Sequence, residues 1–251
     1  MRKLLLLCSI LMVMSANAQD YFPTNTGVKT IKNTVVALQN ATIYETPQKI
    51  IKKGTLLIKD GKVIAIGKKV QIPTGTKIID LKGKTIYPSF IDMYADFGIS
   101  KPKRVRSNNR TPQYDASRDG YYWNDHIRPE TKATNSFKFD TKKAKDYLKA
   151  GFGVVNTHMQ DGIIRGNGML VALNPNASDA YRILENTSAQ YLSFTKSLQS
   201  RQSYPTSRMG TMALLRQTYL DAEWYANGNA KNKDASLAAL NKNKNLVQIF
   251  E

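Results

Sequence analysis

The stretch that decides the fold is GTLLIKDGKVIAIGKKVQIPTGTKIIDLKGKTIYPSFIDMYADFG, residues 54–98. Its first part holds short runs rich in β-branched residues, and Asp60-Gly61 separates two of them as in a tight β-hairpin. A second glycine turn separates two more runs, and the similar run TVVALQNATIYE (34–45) precedes them all. This pattern predicts a small antiparallel sheet of about four or five strands over residues 34–87.

The second part of the stretch is continuously apolar. SFIDMYADF (89–97) is typical of a strand that is buried on both faces of a parallel sheet. DTKKAKDYLKAG (140–151) is predicted to be a helix that Asp140 can cap and Gly151 can end. FGVVNTHM (152–159) follows as a second buried strand. Strand, helix and strand in this order predict a parallel α/β unit.

A long loop and four further elements complete the chain. The loop, residues 99–136, is long enough to indicate either a functional role or mobility. The elements are an extended pair with a glycine turn (162–174), a long helix (206–226), a short helix (234–243) and a final strand (245–251). On the long helix, near-helical spacing predicts an apolar stripe of Met209, Met212, Ala213, Leu220 and Trp224.

The number of parallel strands bears on completeness. About three strands are of the buried, parallel type, whereas a closed (β/α) barrel needs eight. We therefore expect this chain to be the front part of a longer protein, or to be completed by a second subunit.

The first 18 residues predict export. Two basic residues precede an apolar core, and a small-x-small cleavage site ends at Ala18, as in a secretory signal peptide over residues 1–18. Residues 19–33 then form a polar N-terminal lead, and the protein is expected to be periplasmic or extracellular. Cys8, the only cysteine, lies in the signal, so the mature chain can form neither a disulfide nor a thiolate metal site. No other segment is long and apolar enough to be a transmembrane helix.

The chain is strongly basic, with a formal net charge of +18. Removing the signal takes away two basic residues and no acid, which leaves 35 − 19 = +16. Such a charge attracts anionic surfaces, but its even spread favours an ordinary basic exported protein over a nucleic-acid-binding one. The basic run KPKRVRSNNR (101–110) is interpreted as a solvated loop, because no aromatic residues interleave with its charges. Nucleic-acid binding, the weaker hypothesis, would lose affinity steeply with salt.

The segment PSFIDMYAD (88–96) resembles the opening of the amidohydrolase superfamily, and more narrowly its imidazolonepropionase-like and dihydroorotase-like members. Their usual sequence at this join is Pro-Gly-apolar-Ile-Asp-x-His-x-His. KAGFGVVNTHMQDG (149–162) and RQSYPTSRMGTMALLRQTYLDAEWY (201–225) extend the resemblance, which covers about residues 33–251.

The resemblance implies an α/β fold in two parts. The first is the N-terminal part of a composite β-sandwich domain at residues 34–87. The second is the first part of an incomplete TIM (β/α) barrel at residues 88–251.

The resemblance also implies a divalent metal, zinc or another, whose bound water becomes the attacking hydroxide. Tyr94 and Asp96 stand at the two histidine positions after the first barrel strand, and His158 ends the second strand. These three residues are the candidate metal ligands. A phenol with a pKa near 10 is a poor zinc ligand, and the chain has two histidines where the family site uses four. We expect that this segment alone does not bind the metal, and no catalytic residue is assigned to it.

Three other features receive a structural interpretation. Asp92 belongs to the family motif, where the corresponding residue is usually structural. His158 has no ligand partner in the sequence, and such a histidine is more often a surface or hydrogen-bonded residue than a functional one. His126 lies in the long loop beside Trp123 and Asp125, where a functional role is also disfavoured. RGNG (165–168) resembles a phosphate loop but lacks the spacing and the following helix, so it is interpreted as a simple turn.

Two hypotheses of function remain. The first is an exported amidohydrolase-like protein, the N-terminal part of a metal-dependent hydrolase of C–N bonds in small amide-type substrates, with a degenerate metal site in this segment. The alternative is a non-catalytic scaffold or binding subunit that uses the barrel and the basic loop to dock a partner. Continuation of the gene into a barrel with a His-x-His motif would distinguish them.

Overall fold

The computed structural model describes residues 34–105, 113–114 and 116–251. The predicted signal and lead lie outside the described residues, as does part of the basic run. Within the described ranges, no helix is long and apolar enough to cross a membrane.

Five strands near the N-terminus form one hydrogen-bonded sheet. They are β1 (Val35–Tyr44), β2 (Ile50–Lys59), β3 (Lys62–Gly67), β4 (Lys77–Asp80) and β5 (Thr85–Ile86). The order is β3-β2-β1-β4, and β5 also pairs with β1. The predicted strand number is confirmed, but β4 and β5 run parallel to β1, so the prediction of an antiparallel sheet is wrong. The reason is that the chain crosses from β3 to the far side of β1 instead of making another tight hairpin.

The predicted hairpin between β2 and β3 is confirmed. Asp60 has φ = +51° and Gly61 has φ = +76°, and two positive φ angles are what a type I′ turn requires. The sheet has its own small core, in which Ala41, Ile43 and Leu56 are buried. These five strands make one sheet, where the resemblance implies the N-terminal part of a composite sandwich.

The predicted parallel α/β unit is confirmed. Strand β6 (Phe90–Ala95) pairs in parallel with β7 (Phe152–Thr157), and helix α1 (Thr141–Lys149) lies between them in sequence. The Asp140 side chain accepts hydrogen bonds from two backbone N–H groups of the first helical turn. Gly151, at φ = +92°, ends the helix in the left-handed region.

The next segment contains the two predicted extended strands, but they do not pair with each other. Strand β8 (Ile164–Asn167) and strand β9 (Met169–Ala172) follow each other directly, and each pairs with a different neighbour. β9 runs antiparallel to β7, while β8 runs antiparallel to β11 (Ala189–Leu192). The segment therefore passes from one sheet into another. RGNG is consequently part of a buried strand and its exit, and its interpretation as a simple turn is wrong.

Gly168 makes this passage possible. A Cβ atom at this position would lie 2.5 Å from Cε2 of Tyr191 and 3.0 Å from Oδ1 of Asn156. Only a residue without a side chain fits so closely between two packed groups.

The remaining elements complete the two sheets. A short helix α2 (Asp179–Arg182) leads into β10 (Ile183–Glu185), which pairs with β9, and β12 (Val247–Phe250) pairs in parallel with β11. One sheet has the order β10-β9-β7-β6 and the other β12-β11-β8. The final strand is therefore confirmed, and each of these two sheets contains one parallel pair, β6 with β7 and β11 with β12.

Both C-terminal helices form where predicted, as α3 (Arg208–Ala226) and α4 (Ala235–Asn243). The expected apolar stripe of α3 is not its buried face, and Met209 is 84% exposed. The buried residues of α3 are Thr211, Leu214, Leu215, Thr218 and Ala222. The prediction is wrong because two threonines belong to the inner face: Thr218 satisfies its hydroxyl by donating to the Leu214 carbonyl, 2.8 Å away.

Strand β6 departs from the prediction of burial on both faces. Phe90, Ile91 and Met93 are 65%, 53% and 49% exposed. The reason is that β6 is the last strand of its sheet, with β7 as its one strand neighbour among the described residues. The pattern of an internal strand is thus present in an edge strand.

Residues 122–127 of the long loop are packed into the interior. Asn124, Asp125 and His126 are buried, and Ile127 belongs to the same core cluster as α3 and α4. The Asp125 carboxylate accepts hydrogen bonds from both the backbone N–H and the hydroxyl of Ser117. Buried polar groups with partners fix this loop in place.

Candidate functional site

The candidate site lies where β6 and β7 end. Because the two strands are parallel, their carboxyl ends meet at one edge of the sheet. The structure therefore brings two of the three predicted ligand positions together: the rings of Tyr94 and His158 have centroids 4.7 Å apart. The backbone N–H of His158 donates to the carbonyl of Ala95 over 3.1 Å, which fixes the histidine beside β6.

His158 is completely buried between two aromatic rings. Its imidazole stacks on the ring of Tyr191 with centroids 3.6 Å apart and the planes 3° from parallel. Neither ring nitrogen makes a hydrogen bond of normal geometry to a described residue. Burial, reinforced by the positive charge of Arg165, lowers the pKa of His158 to about 3, so the imidazole is neutral at neutral pH.

Arg165 is the residue that sequence reasoning missed. It lies on β8 and its side chain is 3% exposed. Its guanidinium donates a short hydrogen bond to the Tyr94 hydroxyl, donates to the carbonyl of Gly162 over 3.2 Å and pairs with the Glu251 carboxylate at 2.9 Å. The available signal was an arginine inside the apolar run GIIRGNGML, since a charge in a buried strand requires a partner.

The neighbouring phenols stay protonated. Burial raises the pKa of Tyr94, and the nearby Glu251 carboxylate raises it further. Tyr191 donates its hydroxyl to the Met93 carbonyl over 2.8 Å, and burial raises its pKa as well. At neutral pH neither oxygen is a phenolate.

Asp96 is not part of this cluster. Its carboxylate faces Lys101, whose ammonium nitrogen lies 3.6 Å away, and the aspartate side chain is partly exposed. Asp92 accepts the backbone N–H of Tyr94 over 3.0 Å, a local contact in keeping with its structural interpretation. The three candidate ligand positions therefore divide into a pair, Tyr94 with His158, and a separate surface aspartate.

These residues do not fit a divalent metal. Among the described residues, no three or more histidine, cysteine, aspartate and glutamate side chains form a group that could hold an ion. The Arg165 guanidinium contacts the phenol that would have to be a ligand. Two unit charges 4 Å apart at an effective dielectric constant of 20 repel each other by about 4 kcal/mol, and a divalent ion doubles that energy.

His126 has a purely structural environment. Its Nδ1 accepts the backbone N–H of Ser197 over 3.1 Å, so Nε2 carries the proton and donates to the Gln202 carbonyl, also at 3.1 Å. Burial lowers its pKa to about 4. Both nitrogens are satisfied, which leaves none for chemistry.

Comparison with known proteins identifies a shared fold. No protein-family model matches the chain, and no curated protein matches it significantly. Among solved structures, the chain is similar to an amidohydrolase from Thermotoga maritima, with a TM-score of 0.60 and 19% identity over 81% of this chain. A second amidohydrolase matches 24% of the chain at 28% identity with a TM-score of 0.22. A prolidase complexed with N-methylphosphonate-L-proline matches 50% of the chain at 15% identity with a TM-score of 0.27.

The first of these likenesses is the informative one, since the other two extend over too little structure to indicate a common fold. The matched region spans 54% of the Thermotoga maritima protein, so this chain corresponds to about half of its length. At this level of identity the comparison shows the fold alone: over most of its described length, the chain has the fold of part of an amidohydrolase.

Proposed function

We propose that this chain is the N-terminal part of an exported, amidohydrolase-like hydrolase of C–N bonds. Its five-stranded sheet and its two α/β sheets supply the β-rich domain and the first strands of an incomplete TIM barrel. The substrate is a small molecule of the amide type. The catalytic metal, zinc or another divalent ion, is held by residues other than Tyr94, Asp96 and His158.

The observation that carries this proposal is the parallel unit β6-α1-β7 within a fold shared with an amidohydrolase. In such barrels the reacting groups are at the carboxyl ends of the strands. At that end of this chain lie a neutral, buried histidine and an arginine paired with a glutamate. This segment keeps the framework of the site, while its own side chains are unsuited to binding the ion.

Completion by further strands is the second element of the proposal. The last strands of the two sheets, β6 and β12, expose large apolar side chains, including Phe90 and Val247. Parallel strands normally have both faces covered. The remainder of a longer chain, or a second subunit, would cover them and would contribute the rest of the barrel.

The alternative is a non-catalytic scaffold, and the arginine favours it. A cation fixed at the carboxyl end of the strands is compatible with a barrel that is kept only as a platform for a partner. The two functions differ in the completed assembly: a hydrolase cleaves amide-type substrates there when zinc is supplied, and a scaffold does not.

The test combines metal analysis with hydrolysis assays. We expect the purified 251-residue chain to contain well under one zinc per molecule and to leave cyclic imides, dipeptides, ureas and lactams intact. The completed protein should bind metal and cleave a member of one of these classes. Its failure to do so with bound metal would establish the scaffold instead.

A matched set of variants tests the assignment of the ion. If the chain alone bound one zinc per molecule, and His158→Ala or Asp96→Asn released it while Asp140→Asn did not, the degenerate site would be a real one. Asp140→Asn is the control because asparagine is also a good helix cap.

A further inference from the structure

The guanidinium of Arg165 contacts three separate segments of the chain. It projects from β8 to the end of β6, where it donates to the Tyr94 hydroxyl, and it reaches the segment after β12 through Glu251. One buried cation thus joins three pieces of chain at the carboxyl end of the strands. In metal-dependent enzymes, an ion joins strand ends in a comparable way through its ligands.

The charges around Arg165 are balanced by a single partner. Among the described residues, Glu251 is the only carboxylate in contact with the guanidinium, whose other partners are the Tyr94 hydroxyl and the Gly162 carbonyl. The Glu251 side chain is half exposed, whereas Arg165 is almost fully buried. A buried charge needs a close partner of opposite sign. Glu251 is that partner for Arg165, so no further carboxylate remains in contact to bind a second cation.

We propose that Arg165 is the resident cation of this strand end and takes the place of a metal ion there. It donates to the Tyr94 hydroxyl and so ties β8 to β6. Its charge excludes divalent ions from the space beside Tyr94 and His158. The loss of the metal ligands and the presence of the arginine are then linked. A metal site beside the arginine would place two cations together, and loss of the ion without the arginine would leave this strand end without a cation.

This inference deepens the proposed function and rests on it, but its test needs no activity. Tyr94→His and Asp96→His are combined to restore the His-x-His pattern next to His158, and Co²⁺ binding is followed by visible absorption. The triple variant, which adds Arg165→Met to these two substitutions, should bind Co²⁺ at least 100-fold more tightly than the double variant that keeps Arg165. Where Arg165→Met does not fold, as judged by circular dichroism, Arg165→Gln serves, because its amide can still donate to Tyr94 or to the residue replacing it.

Two further variants separate charge from packing. Arg165→Lys keeps the positive charge and should keep the Co²⁺ affinity of the double variant low. Arg182→Met is the matched control: Arg182 is also largely buried, with its guanidinium 3.6 Å from the centroid of the Phe139 ring, but it lies away from this strand end. It should not change Co²⁺ affinity.

The outcomes are decisive in either direction. Equal Co²⁺ affinity with and without Arg165, whether both proteins bind or neither does, would overturn the exclusion of metal by charge. An equal gain from Arg182→Met would overturn its location. Hydrolysis by the completed protein is measured separately, so the proposed function can fail while this inference stands, and the reverse.

Discussion

The two histidines of the chain are both buried and both neutral, but their nitrogens have different surroundings. His126 exchanges two hydrogen bonds with backbone groups, while His158 stacks between aromatic rings without a hydrogen-bond partner among the described residues. The sequence predicts the position of His158 beside Tyr94, because strand order alone brings parallel strand ends together. It could not reveal Arg165, since β8 and β6 belong to different sheets and only tertiary packing brings the Arg165 side chain to Tyr94.

Replacing each histidine by leucine should separate these environments. His126→Leu leaves the Ser197 N–H and the Gln202 carbonyl buried without partners, which costs about 1–3 kcal/mol for each group. His158→Leu removes no hydrogen bond of the ring. Urea unfolding at pH 8 should therefore show a much larger loss of unfolding free energy for His126→Leu. Equal losses would mean that the His158 nitrogens are satisfied in solution.

Stability should also depend on pH through these residues. The pKa of each imidazole is lower in the folded chain than the value near 6.5 in the unfolded chain, so the unfolded state binds more protons below that pH. The stabilisation is complete above pH 6.5 and is lost as the pH falls towards 4, by up to about 1.4 kcal/mol per pH unit for each histidine. Between pH 8 and pH 5, wild type should lose more unfolding free energy than His158→Leu, because the variant has no imidazole to protonate at this position. A constant gap would contradict burial of His158.

At the scale of elements, periodicity and capping predicted what is local. The hairpin at Asp60-Gly61, the helix capped by Asp140 and the final strand all form where the sequence indicates. The errors concern partners: the direction of β4, the inner face of α3 and the division of 162–174 between two sheets. Such pairings are decided by contacts between residues far apart in sequence, which local patterns do not encode.

The passage through Gly168 should be intolerant of any side chain. Gly168→Ala places a methyl group 2.5 Å from the ring of Tyr191, a residue that is itself fully buried, so something must shift. We expect a loss of several kcal/mol in unfolding free energy, at the upper end for overpacked sites. Gly67→Ala is the control, because the nearest atom to its added Cβ would be a Val70 methyl at 3.6 Å, an ordinary van der Waals contact. A similar small effect for both would contradict the close packing at Gly168.

At the scale of the whole molecule, the chain combines a self-contained five-stranded sheet with two α/β sheets whose edge strands carry exposed apolar residues. The fold class was predictable because composition and strand character are global properties. Whether the α/β part closes into a barrel was not, because closure depends on strands beyond the two described parallel pairs. The chain corresponds to 54% of the length of the matched amidohydrolase.

The exposed apolar face of β6 should bind hydrophobic ligands in the isolated chain. Ile91→Lys should lower the binding of a hydrophobic dye and leave the melting temperature nearly unchanged, because the isoleucine is more than half exposed. Val63→Lys is the control: valine 63 is equally exposed but belongs to the separate N-terminal sheet. If further strands or a second subunit cover this face, as proposed above, Ile91→Lys should weaken that assembly. Unchanged assembly would show that the β6 face stays open.

The continuous segment 164–172 has a consequence for motion. Its first half is hydrogen-bonded into the sheet of β11 and its second half into the sheet of β7, with no loop between them to act as a hinge. Local opening of one sheet should therefore disrupt the other. We expect the amide protons of both sheets to exchange with solvent in one cooperative opening. The N-terminal sheet has its own small core, so its amide protons should exchange independently, at a different rate.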